Sequence, residues 1–134
     1  MRKLTLLVAI LSFLTSQSII AQAWGSGIDG EGEVIKQEIT LPSIKGFDLG
    51  FGGDVIVTPG ATQKIVIEGQ KNIIDNIKRD VSNGTWRISF IKSVDNAKPV
   101  TVYITIPTIE YVGLSGSGSV KSTGKFSGLK DIDI

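Results

Sequence analysis

Asp131 and Asp133 stand two positions apart in the run Asp131-Ile132-Asp133-Ile134, so on a strand their carboxylates share one face. That geometry suits metal binding or paired-carboxylate chemistry, in which one group gives a proton and the other takes one. More often such a pair is the solvated side of an edge strand. Asp29, Glu31 and Glu33 alternate along a glycine-rich stretch and offer oxygen ligands for a weak Ca²⁺ site, but the glycines do not fall where an EF-hand loop needs them. Gly25-Ser26-Gly27-Ile28-Asp29-Gly30 has the letters of a dinucleotide-binding turn. It lacks the preceding strand and following helix that bring amides to a pyrophosphate, and no cofactor is expected there. The chain has no His and no Cys, which removes Ser-His and Cys-His catalysis, imidazole and thiolate metal sites, and disulfides.

Trp86, Tyr103 and Tyr111 could stack on sugar rings or nucleobases. Trp86 alternates with Arg87 in a way that turns it toward a core. Tyr103 points opposite the apolar face of its strand and is the aromatic expected to be exposed. Tyr103, Asp131 and Asp133 are therefore the candidate binding residues, and no catalytic or metal-ligating residue is assigned. The 14 Lys+Arg against 13 Asp+Glu give a formal net charge of +1. Such a balance supplies no clustered basic surface, so nucleic acid is not an expected partner.

The elements that must position these side chains read mostly as strands. Val34-Ile35, Ile39-Thr40-Leu41, Phe47-Asp48-Leu49, Val55-Ile56-Val57-Thr58 and Ile65-Val66-Ile67 are short and rich in branched residues. Turn formers such as Pro42-Ser43, Gly52-Gly53 and Pro59-Gly60 separate them. Ile73, Ile74 and Ile77 instead follow helical spacing, which predicts one short amphipathic helix over residues 72–79. Asn83-Gly84 sits between two strand-like runs and predicts a tight hairpin, which is preferred over a glycosylation sequon at Asn83-Gly84-Thr85. Val100, Val102, Ile104 and Ile106 face one way from a strand that Pro107 ends.

The start of the chain has a different character. Arg2 and Lys3 precede a stretch, residues 4–14, that is apolar apart from Thr5 and Ser12, and Ala21-Gln22-Ala23 places small residues where a signal peptidase reads them. Residues 1–23 are thus expected to be a secretory signal peptide cut before Trp24. The strongly apolar run is well short of the roughly 20 residues a spanning helix needs, so no membrane span is expected after cleavage. Residues 24–32 carry four glycines and are expected to be a flexible leader without strand. The rest, residues 33–134, is read as one all-β domain.

An internal repeat refines that domain. Leu49-Gly50-Phe51-Gly52-Gly53-Asp54-Val55 and Leu114-Ser115-Gly116-Ser117-Gly118-Ser119-Val120 share an apolar residue, a small-residue turn, a polar residue and then Val. Ile134 follows Leu114 at a distance near the short end of solenoid periods. The repeat suits a coil that turns one short strand inward per corner, although Gly-Ser turns also recur by chance in β proteins.

The order of signal peptide, Trp24-Gly25-Ser26-Gly27, Gly46-Phe47-Asp48, Gly52-Gly53-Asp54-Val55, Asn83-Gly84-Thr85, the strand ending at Pro107 and Leu114-Ser115-Gly116-Ser117-Gly118-Ser119-Val120 resembles the putative auto-transporter adhesin head GIN domain family. The likeness covers essentially residues 24–134. It implies a right-handed β-helix-like solenoid in exported proteins of Gram-negative bacteria, with no established activity. Family members usually continue through further Ser-Gly turns, so a chain stopping at Ile134 is either a natural short version or a fragment. The expected function is a non-enzymatic envelope element or adhesin-like binder of a glycan or an envelope protein, located in the periplasm, at the outer surface or outside the cell. The alternative is a carbohydrate-active enzyme, a lyase or hydrolase, by analogy with other β-helices. A lyase would want converging carboxylates with a basic residue, and Lys78, Arg79, Arg87, Lys92 and Lys98 show no such pattern.

Overall fold

The computed structural model describes residues 27–124. In chain order the elements are β1 (Ile28–Asp29), β2 (Val34–Ile39), β3 (Gly46–Leu49), β4 (Asp54–Pro59), β5 (Lys64–Gln70), α1 (Lys71–Ile74), β6 (Val81–Ser82), β7 (Thr85–Ile88), β8 (Val94–Asn96), β9 (Thr101–Ile106), β10 (Tyr111–Leu114) and β11 (Ser119–Ser122). Among the described residues the all-β expectation holds, with a single helical turn.

Alternation places the apolar half of each strand in one cluster. In the five-stranded sheet, ordered β11-β4-β9-β5-β2, Val120, Val55, Val102 and Ile67 form one inward row, and Val57, Ile104 and Ile65 the next. In the four-stranded sheet, ordered β10-β3-β7-β6, Phe47 is in register with Trp86, and Leu49 with Ile88. All of these are buried in one hydrophobic cluster. Trp86 is fully covered, and its indole Nε1 donates to Lys78 O at 2.9 Å, so its one polar atom is satisfied.

The repeat seen in the sequence is the stacking rule of the fold. β10 pairs in parallel with β3, setting Tyr111 to Leu114 against Gly46 to Leu49, and β11 pairs with β4, setting Ser119 to Ser122 against Asp54 to Val57. The repeats are laid directly on each other. Ser119 Oγ donates to Asp54 Oδ1, and Thr58 Oγ1 bonds Thr123 Oγ1, each across 65 residues of chain. The serine-glycine turn needs its glycines for close approach: a side-chain carbon at Gly118 would lie 2.0 Å from Gly53 O. On the opposite edge of β3 and β4 lie β7 and β9, also parallel. The layer β3–β4 is therefore held between two layers that both follow it in the chain.

The Asn83-Gly84 hairpin forms as expected, with φ of 53° and 78° at the two residues and β6 antiparallel to β7. Two expectations are corrected. The helix predicted over residues 72–79 is only Lys71–Ile74. Beyond it the Asn76 and Ile77 amides bond three residues back, Ile77 bridges to Phe90, and Lys78 N donates to Ser89 O. The Asn76 side chain fixes that departure through both of its polar atoms, to Lys92 O and from Lys92 N. The helical spacing marked which isoleucines are buried, since Ile73, Ile74 and Ile77 all are, but not how far the helix runs. Likewise Ile28–Asp29, in the segment expected to lack strand, pairs in parallel with β8. Gly30 packs so closely on the Gln70 side chain that a side-chain carbon there would overlap it.

Candidate functional site

Alternation that fills the core also decorates two outward faces. On the five-stranded sheet, Tyr103 of β9 lies between Ile56 of β4 and Val66 of β5, with Glu38 of β2 beyond. Its phenol donates to Glu68 Oε2 at 2.8 Å, and the Lys36 ammonium sits 5.4 Å from the ring centroid. The hydrogen bond to the carboxylate, then partial burial and the negative charge of Glu68, raise the Tyr103 phenol above the ordinary tyrosine value of 10.0. Tyr103 is thus half-buried and engaged at both hydroxyl and ring, whereas the strand pattern led us to expect an exposed side chain.

The exposed tyrosine is Tyr111, at 52%. It begins β10 on the outer face of the four-stranded sheet, where its register partner is Gly46 and the next outward position on its own strand is Gly113. A side-chain carbon at Gly113 would lie 2.7 Å from the Tyr111 hydroxyl and 3.0 Å from Asp48 Oδ1. The two glycines therefore leave a bare strip along which the ring lies, with its hydroxyl end toward Asp48. Asp48 Oδ1 accepts from Ser115 Oγ at 3.2 Å, and the register places exposed Arg87 beside Asp48 on β7. An aromatic surface, a carboxylate and a guanidinium thus share one face. Together they can stack on a ring and hydrogen-bond polar groups around its edge.

The other candidates do not join either face. Asp131 and Asp133 lie outside the described residues, as do residues 1–23 of the expected signal. The backbones of Asp29 and Glu31 are held by Asn72, whose Nδ2 donates to Asp29 O and whose Oδ1 accepts from Glu31 N, and the Asp29 carboxylate accepts from Asn96 Nδ2 at 3.4 Å. Among the described residues no group of three acidic side chains is placed to hold a metal ion, and no helix is long and apolar enough to cross a membrane. A hollow of about 380 Å³ near Ser43, Lys45, Pro107 and Thr108 surrounds Gln63, whose amide is already bonded to Leu41 O, Pro42 O and Ile44 N.

Sequence reasoning missed the Tyr111 face because Tyr111 opens a strand that lacks clear alternation. The usable signal was the repeat itself. Aligning residues 111–114 on residues 46–49 puts glycine at the outward positions beside the tyrosine on both strands.

Several solved structures share the fold. A putative adhesin from Bacteroides fragilis is similar over 70% of this chain and 45% of its own, at 26% identity and a TM-score of 0.62. A putative adhesin from Parabacteroides merdae matches over 72% and 41%, at 17% identity and a TM-score of 0.66. A structure from Parabacteroides distasonis named a putative lipid binding protein matches over 69% and 42%, at 18% identity and a TM-score of 0.57. This chain spans less than half the length of these relatives. No curated protein matches it. The model of the putative auto-transporter adhesin, head GIN domain, matches residues 43–131, which span both repeats and every strand from β3 to β11, and the chain belongs to that family.

Proposed function

We propose that this chain is exported and serves as a non-enzymatic, adhesin-like module of the cell envelope, binding a glycan on the outer face of its four-stranded sheet. The observation that supports this reading is the open Tyr111 ring, laid along a strip kept bare by Gly46 and Gly113 and flanked by Asp48 and Arg87. A pyranose offers C–H groups to an aromatic face and hydroxyls to a carboxylate and a guanidinium, so ring and charges can be used at once. Tyr103 is the poorer platform, because Lys36 already covers its ring.

Export is supported by the basic start, the apolar residues 4–14 and Ala21-Gln22-Ala23, with residues 1–23 removed and residues 24–32 leading into the domain. The family suggests a surface or exported setting. The parallel stacking of β10–β11 on β3–β4 supports a β-helix-like solenoid as the wider architecture.

Calorimetric titration of the chain with envelope and host polysaccharides tests the reading. Saturable binding without new reducing or unsaturated ends is expected, weakened about tenfold or more by Tyr111→Ala, a loss of roughly 1.4 kcal/mol, and kept by Tyr103→Phe. Product formation, or binding indifferent to Tyr111→Ala, overturns it. Cleavage before Trp24 is checked by N-terminal sequencing of the exported product.

A further inference from the structure

Strand β2 ends the five-stranded sheet: β5 pairs with one side of it, and among the described residues no strand pairs with the other. Open edges are commonly blunted by proline, bulges or repelling charge. β2 has no proline, and its register with β5 runs unbroken from Val34 to Ile39. It also exposes two adjacent apolar side chains, Val34 at 38% and Ile35 at 40%.

Its charges are arranged to favour a copy of itself. Lys36 and Glu38 lie on the outer face, on either side of Gln37, and both are exposed. Antiparallel pairing about a two-fold axis at Gln37 sets each Lys36 directly opposite Glu38 of the second copy. The same register sets Ile35 opposite Ile39, on the inner face. An axis at Lys36 or at Glu38 instead sets like charges against each other, which disfavours those neighbouring registers. The Lys36 ammonium now rests over the Tyr103 ring, and its four-carbon stem allows it to turn back toward the edge.

We infer that the β2 edge is a self-association surface whose occupant is the β2 edge of a second copy of this chain, paired antiparallel about Gln37 so that two five-stranded sheets continue as one. This pairing is independent of glycan binding on the other sheet. A six-residue edge makes a small interface, so the dimer is weak and depends on concentration.

Sedimentation equilibrium of the whole chain over a concentration series tests this, with far-UV circular dichroism confirming the fold of each variant. The unaltered chain is expected to dimerise. Lys36→Glu and Glu38→Lys, each alone, place like charges opposite in their own dimers and weaken association by about tenfold or more. An equimolar mixture of the two variants sets the new acidic side chain opposite the new basic one and restores dimers. Lys36→Gln, which removes the pair without adding repulsion, gives an intermediate loss and stands in if Lys36→Glu does not fold. A chain that stays monomeric throughout, single variants that associate like the unaltered chain, or a mixture no tighter than its components each overturn the inference.

Discussion

The two sheets share one core yet treat their outer tyrosines in opposite ways. On the five-stranded sheet Tyr103 is hemmed by Ile56 and Val66, bonded to Glu68 and covered by Lys36. On the four-stranded sheet Tyr111 has glycine beside it and glycine ahead of it, and half of its surface meets solvent. Both residues point outward from a strand, so alternation alone does not decide whether an aromatic side chain is available. The neighbouring outward positions decide it.

The largest way to break this contrast is to fill the bare strip at its most crowded point. A side-chain carbon at Gly46 would lie 2.5 Å from the backbone oxygen of Tyr111, which cannot rotate away. Gly46→Val should part β10 from β3 and cost about 2–4 kcal/mol, read as a lower urea midpoint. A midpoint like that of the unaltered chain would show that β10 contributes little to the stack.

A smaller effect is expected on the engaged tyrosine. Tyr103→Phe removes a half-exposed hydrogen bond to a carboxylate and should cost about 1 kcal/mol, after allowance for solvent screening. The sign of its pH dependence follows from the raised phenol. The folded chain holds the Tyr103 proton more tightly than the unfolded chain does. The contribution is therefore complete below the ordinary tyrosine value and is lost as pH rises through the raised one. Thermal melts across the alkaline range should show this loss in the unaltered chain and not in Tyr103→Phe, whose phenolate absorbance should also lack the displaced transition.

Least of all should stability depend on the open tyrosine. Tyr111→Ala should shift the urea midpoint by no more than about 0.5 kcal/mol, because little packing is lost at an exposed position. A loss as large as that for Tyr103→Phe would mean that the two faces are more alike than their geometry indicates.

Much of the frame was legible in the sequence because it rests on local alternation. The strand with Val102, Ile104 and Ile106, the burial of Trp86 and the Asn83-Gly84 hairpin each follow from a few neighbouring residues. The spacing between repeats also proved to be the stacking distance. What escaped depends on partners far along the chain. Glu68 claims Tyr103 from 35 residues away, Phe90 draws Ile77 out of the helix, and β8 turns Ile28–Asp29 into a strand. Of the aromatic residues able to stack on a ring, alternation puts Tyr103 on the correct face but does not show its partners, and it does not single out Tyr111 as the exposed one.

The position of β3–β4 between two later layers also governs the order of assembly. During synthesis this layer emerges first, with both edges unpaired until β7 and β9, and then β10 and β11, have been made. Contacts of such long sequence separation bring loop-closure cost before any pairing gain, and folding slows accordingly. Until those later strands arrive, the open edges of β3 and β4 can pair with other chains, so association during synthesis competes with closure of the stack.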